Sequence, residues 1–149
     1  MTHELTTPPR TAARPRRFTM LLSSTRRGAH LARLLAVDQL RDWHAPSGIR
    51  DPAEVIVSEL AANAALHGVL PGRGFRLTLL LSPGGDRLRI EVTDGCGERR
   101  PPEVVPPQPP GDDAESGRGL ILVDALAERW GTEAYAPSGK TVWAEVTER

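Results

Sequence analysis

The chain has 149 residues and a mass of 16.2 kDa, enough for one hydrophobic core and too little for two domains. Hydrophobic residues at 39% exclude a wholly disordered chain, and 19 Lys+Arg against 19 Asp+Glu exclude the global cationic field that non-specific nucleic-acid binding needs. A single cysteine, Cys96, excludes an intramolecular disulfide and a multi-thiolate zinc site.

No apolar run nears the roughly 20 residues that cross a bilayer, and with so little cysteine a reducing cytoplasm is the expected setting. The stretch through Arg17 is rich in Thr, Pro and Arg without periodicity and reads as a disordered leader, residues 1–17. Its arginines would serve a phosphate-binding arm or simply keep a tail solvated. Phe18 to Ser23 is an apolar run that suggests a first strand. Ala32, Leu35, Ala36, Leu40 and Trp43 then recur at steps of three or four, predicting a core-facing helix from about Gly28 to Trp43.

A second helix is predicted over 52–67. Asp51 is its expected N-cap, Pro52 its first residue and Glu54 the reciprocal member of a capping box, with Gly68 as a left-handed C-terminal cap. Two alternating segments follow, Phe75-Leu77-Leu79-Leu81 and Leu88-Ile90-Val92, joined by Ser82-Pro83-Gly84-Gly85-Asp86, the pattern of a hairpin. Asp94 continues the parity of Leu88, Ile90 and Val92, so its carboxylate should point to the buried side where the strand ends, and there it needs a partner.

From Arg99 to Ser116 the chain turns Pro-rich and then acidic, with no apolar face. Such an insertion in a compact domain is a mobile lid or a disordered spacer, and a proline-recognition ligand within 101–110 is a further reading. Leu120, Val123, Leu126, Ala127 and Trp130 suggest a last helix closed by Gly131, and strands over about 132–136 and 141–147 finish the chain.

Three features carry chemistry. On the second helix Glu59, Asn63 and His67 fall at steps of four, one polar stripe on a helix otherwise apolar nearly all round. That stripe marks a pocket or a hydrated edge. A carboxylate and an amide oxygen one turn apart can act as a general base beside a hard ligand for Mg²⁺. Asp94-Gly95-Cys96-Gly97 is a turn able to bring backbone close to a ligand, and Gly117-Arg118-Gly119-Leu120 opens a helix whose N-terminal amides and dipole suit a phosphate.

In this order and spacing the three features resemble the anti-sigma factor serine/threonine kinases of the GHKL, or histidine kinase-like, ATPase superfamily. The likeness runs from about Phe18 to Val146. It implies a two-layer α/β sandwich, a mostly antiparallel sheet with helices on one face, filling residues 18–149, with a lid at about 98–116. By resemblance, Glu59 matches the acid that activates the attacking hydroxyl and Asn63 the magnesium ligand. Asp94 matches the aspartate that reads the adenine amino group. Gly97 belongs to the first glycine box, and Gly117, Arg118, Gly119 and Leu120 match the second, which meets the triphosphate.

Two departures stand out. Cys96 occupies a position where the first box usually has glycine. Where the family has a Gly-Thr pair entering the last strand, Gly139 is followed by Lys140, with Thr141 one place late; Lys140 would meet an anionic group or end a strand in solvent. ATP and Mg²⁺ are the implied cofactors, and the implied partners are an anti-sigma factor antagonist as phosphoacceptor, a sigma factor, and a second copy in a homodimer. Neither direct nucleic-acid contact nor membrane association is expected. The alternative activity is a nucleotide-gated regulator that sequesters its partner without transferring phosphate.

Overall fold

A computed structural model describes residues 14–66, 74–95, 120–135 and 139–148. Five strands appear in it, β1 (Arg16–Ser23), β2 (Gly74–Leu81), β3 (Arg87–Asp94), β4 (Arg129–Tyr135) and β5 (Gly139–Thr147). With them are α1 (Arg26–Asp42), α2 (Ser47–Leu66) and a short helix, α3, over 120–126. The sheet order is β1-β2-β3-β5-β4, every pairing is antiparallel, and the fold is the expected α/β type with its core between sheet and helices.

The predicted hairpin is the centre of that core. Phe75, Leu77 and Leu79 on β2 and Leu88 and Ile90 on β3 are all 0% exposed. On α1 the predicted stripe is buried at Ala32, Ala36 and Leu40, with Leu35 and Trp43 packed beside it. Thr25 is the α1 N-cap, its hydroxyl accepting from the Gly28 amide at 3.0 Å. β1 begins at Arg16, two residues before Phe18, so Arg16 and Arg17 belong to an edge strand and not to the leader.

Two sequence expectations are corrected. The second helix starts at Ser47, so Asp51 is not its N-cap and Pro52 lies inside it. The amides of Ile49 and Arg50 both donate to the Pro46 carbonyl at 2.9 Å, which starts the helix there. Proline forfeits one helical hydrogen bond, but the added turn buries Ile49 completely, a gain of about 1.5–3 kcal/mol. Glu54 completes no capping box; it reaches across to α1, where Arg33 donates to it at 2.6 Å.

The last helix is also shorter than its apolar spacing suggests. The Ala127 amide closes the final turn on Val123, and the Glu128 amide already donates to the Glu145 carbonyl of β5 at 2.7 Å. Trp130 and Gly131 therefore lie in β4, and the Trp130 indole N–H donates to Asp124 at 2.8 Å. Trp130 falls on a helical spacing by coincidence, because cross-strand pairing with β5 takes over first.

The sheet face away from the helices is polar and heavily bonded. Arg89 of β3 donates to Glu91 at 2.7 Å and to Glu145 of β5 at 3.1 Å, and Arg129 of β4 donates to Glu145 at 2.7 Å. Trp143 lies beneath both guanidiniums, with the Arg89 carbon 4.4 Å from the ring centroid. Gly131 is opposite Trp143, and a Cβ there would stand 3.0 Å from the indole; the missing side chain lets the ring lie across the strand.

Candidate functional site

The course of α2 decides which residues meet. Its first turn sits at the hairpin end of the sheet, where a Cβ on Gly48 would lie 3.1 Å from Glu148 Oε1 and the Glu148 amide donates to the Asp86 carbonyl. From there α2 runs alongside β3. Sixteen residues of helix from Ser47 to Asn63 cover about 24 Å, and the seven steps of β3 from Arg87 to Asp94 cover about 23 Å. Both elements thus lead away from the hairpin end, and α2 carries Glu59 and Asn63 one turn, about 6 Å, apart in its second half.

This placement follows from which side of α2 is apolar. Ile49, Ala53, Ile56, Val57, Leu60, Ala61 and Ala64 are buried against the sheet and α1. Glu59 and Asn63 are half-buried at the border of that face. No hydrogen bond joins either side chain to another described residue, so their polar atoms remain available to a ligand. Asp94 is half-buried at the end of β3, paired with Phe75 on one side and Lys140 on the other. Gly95 follows with φ 73°, a left-handed turn that glycine adopts at no steric cost.

The register at the start of β5 separates Thr141 from Lys140. Thr141 is opposite Thr93, and their hydroxyls bond at 2.7 Å, on the parity of the Glu91–Trp143 pair and so on the sheet face away from the helices. Lys140 is opposite Asp94 on the helix-side parity. Leu120 opens the described part of α3 and packs against the core. Cys96, Gly97, Gly117, Arg118 and Gly119, together with His67, Gly68, residues 1–13 of the leader and the segment 98–116, lie outside the described residues.

The donor set suits a magnesium nucleotide better than a protein-caged metal. Among the described residues no three His, Cys, Asp or Glu side chains gather as a metal site. Mg²⁺ commonly takes only one or two protein oxygens and completes its shell with phosphates and water, a demand that the Asn63 amide oxygen can meet. Glu145 lies elsewhere: burial opposes its ionisation, but hydrogen bonds from Arg129 and Arg89 outweigh it and hold the group below the usual carboxylate range. That network is structural. No helix among the described residues is long and apolar enough to cross a membrane.

The profile of the histidine kinase-like ATPase domain matches residues 22–146, and the chain belongs to that family. A 58-residue stretch is 52% identical to the uncharacterized protein SCO4941 of Streptomyces coelicolor, covering 39% of this chain and 50% of that protein. The chain thus spans about half the length of this curated relative. The fold is similar to that of the RsbU and RsbW domains of Rv1364c from Mycobacterium tuberculosis, with a TM-score of 0.64 and 19% identity over 89% of this chain and 32% of that one. Membership of the ATPase family implies nucleotide binding.

Proposed function

We propose that the chain is an ATP-binding anti-sigma factor of the serine/threonine kinase type, which phosphorylates an anti-sigma factor antagonist and thereby governs a sigma factor by exchange of partners. The observation that supports this reading is that Glu59 and Asn63 lie one turn apart on the border of α2, half-buried and without a hydrogen bond to another described residue. Asp94 would accept from the adenine amino group. Asn63 would hold Mg²⁺, which supplies charge neutralisation between phosphate oxygens. Glu59 would take the proton of a partner's serine or threonine hydroxyl as its oxygen bonds to the γ-phosphorus and the bond to the ADP oxygen breaks. Leu120 and the glycine-rich residues before it, Gly117, Arg118 and Gly119, would present helix-terminal amides to the triphosphate, and Gly97 would shape the base loop.

In this proposal the protein works in the cytoplasm as a homodimer. Cys96 favours a second reading, because a side chain where the family has glycine would constrain the loop after Asp94 and leave a nucleotide-gated binder that transfers phosphate poorly. Calorimetric titration with ATP, with and without Mg²⁺, tests the shared premise. Magnesium-dependent binding that survives Glu59→Ala but not Asn63→Ala is expected. Phosphoryl transfer to the antagonist, lost in Glu59→Ala, separates kinase from gated binder. Absence of ATP binding by the unaltered chain overturns both readings.

A further inference from the structure

The sheet has two edge strands, β1 and β4, and they are finished differently. On β4, Arg129 and Glu133 are each in an ion pair within the sheet, and the strand carries none of the large apolar side chains exposed among the described residues. On β1, Phe18-Thr19-Met20-Leu21-Leu22 is a run without charge, proline or bulge, and Met20 and Leu21 are 38% and 64% exposed. An edge of that kind is a template for another strand.

The ladder shows which peptide groups face outward. In an antiparallel pair, hydrogen-bonded and non-hydrogen-bonded residue pairs alternate. The Ser82 amide donates to the Arg87 carbonyl at 2.9 Å, so that pair is hydrogen-bonded, and counting along the register turns the peptide groups of Phe75, Leu77 and Leu79 toward β1. Their partners there are Leu22, Met20 and Phe18. A Cβ on Gly74 would lie 2.5 Å from the Leu22 carbonyl oxygen, which places that carbonyl on the β2 side as the count requires. The N–H and C=O groups of Arg17, Thr19 and Leu21 therefore point out of the sheet, where no described strand pairs with them.

Charge selects the occupant. Arg14, Arg16 and Arg17 stand at one end of the apolar run and Arg26 and Arg27 at the other; all five are exposed, and none is in an ion pair with another described residue. A second copy of β1 laid antiparallel on the first would bring one arginine-rich end against the other, like charge against like, at both ends. We propose that the β1 edge binds an extended acidic segment of another protein as a further antiparallel strand. Its carboxylates face the arginines at the two ends, and its apolar side chains continue the row of Phe18 and Met20. This docking does not depend on nucleotide binding.

The probe is a capped, dye-labelled peptide, Glu-Val-Thr-Val-Thr-Val-Glu, titrated with the full chain by fluorescence anisotropy. With its central valine opposite Met20, its glutamates fall opposite Arg17 and Ser23 and its threonine peptide groups face β1. N-methylation of the two threonines should weaken binding about tenfold or more; N-methylation of the first and last valines, whose N–H groups face away, should leave it. Lysine in place of both glutamates should weaken binding about tenfold at low salt and less at high salt. Thr19→Pro, which removes an outward N–H that the β2 ladder does not use, should weaken binding about tenfold or more in a chain that still melts cooperatively. No binding at about 1 mM peptide, equal losses from the two N-methylated peptides, or undiminished binding by Thr19→Pro overturns the proposal. Equal binding of the glutamate and lysine peptides overturns the acidic partner. A dimer of the unaltered chain in sedimentation that Thr19→Pro makes monomeric gives the edge to a second copy and overturns the proposal as well.

Discussion

The two ends of the sandwich are built from the same strands and helices to opposite effect. At the hairpin end the polar groups are spent on one another. The Ser82 hydroxyl donates to Asp86 and accepts from the Arg87 amide, Arg16 donates to the Trp43 carbonyl at 2.9 Å, and the Glu148 amide donates to Asp86. A cavity of about 290 Å³ lies here, lined among others by Trp43, His44, Asp86 and Glu148, yet it is remote from Glu59 and Asn63. Away from it, α2 carries Glu59 and Asn63 in its second half, and Asp94 and Lys140 are the terminal helix-side pair of β3 and β5. Polar groups locked together hold the chain; side chains such as Glu59 and Asn63, with no hydrogen bond to another described residue, are what a ligand can use. A hollow is thus a poorer guide to the site than the state of the side chains.

Substitutions at the two ends should therefore separate binding from stability. The largest effect is expected for Asn63→Ala, which should weaken magnesium-dependent ATP binding by roughly a hundredfold or more, about 2.7 kcal/mol. It should leave the urea midpoint nearly unchanged, because surface changes away from packed features are usually within about 0.5 kcal/mol. A fall in stability that matches the fall in binding would erase the distinction. Ile49→Ala, at the hairpin end, should do the reverse: emptying a fully buried site should cost about 2–5 kcal/mol of unfolding free energy. ATP affinity of the folded protein should be kept, as read by denaturant melts beside calorimetry below the transition.

Ile49 also shows where the sequence stops being legible. The hairpin, the α1 stripe and the inward parity of Asp94 could be read because each is a local period, two or 3.6 residues, that tertiary packing then reinforces. The start of α2 is not legible because Asp51-Pro52 is a strong local signal, and nothing local announces that burying Ile49 will carry the helix back to Ser47. The place of Trp130 is hidden for the same kind of reason, since its pairing with Ala144 is a contact distant in sequence. In the candidate site the stripe of Glu59 and Asn63 was visible from spacing alone. Lys140 was visible only as a departure from a familiar motif, because its place opposite Asp94 is a matter of register, which no single segment encodes. The network of Arg89, Arg129, Glu145 and Trp143 was not anticipated; its trace in the sequence is the alternation of Arg87, Arg89 and Glu91 on β3 and of Trp143 and Glu145 on β5.

That network gives the next effect in size and the pH dependence. Glu145→Gln keeps the shape but removes the charge that Arg89 and Arg129 share, and should cost about 1.5–3 kcal/mol, the range for hydrogen bonds to a charged group. Because the folded protein holds Glu145 below the carboxylate range, the unfolded chain takes up its proton first as pH falls. The stabilisation is complete above the unfolded pKa of about 4.3 and is lost as pH drops through the lower folded value. Chemical melts from pH 7 to pH 3 should show the unaltered protein and Glu145→Gln converging at the acid end. Curves that stay parallel would mean that the carboxylate's charge contributes nothing to the fold.

The smallest effect should come from the turn between α1 and α2, and it should be a gain. His44 has φ 59°, the left-handed conformation that ends many helices and usually belongs to glycine. The bonds around it are those of a Schellman closure, the Ala45 amide donating to the Leu40 carbonyl and the His44 amide to that of Arg41, with Ala45 and Leu40 both buried. The backbone is thus held left-handed by its neighbours, and the imidazole is exposed. His44→Gly relieves the Cβ clash and gives back part of that gain by loosening the unfolded chain. A net stabilisation of about 0.5 kcal/mol is expected, read as a small rise in urea midpoint with an unchanged slope. ATP binding should not move, since His44 lies at the end of the sandwich away from Asn63. If the substitution destabilises instead, the histidine side chain itself holds the turn, and the hairpin end owes more to its cavity-lining groups than its backbone bonds account for.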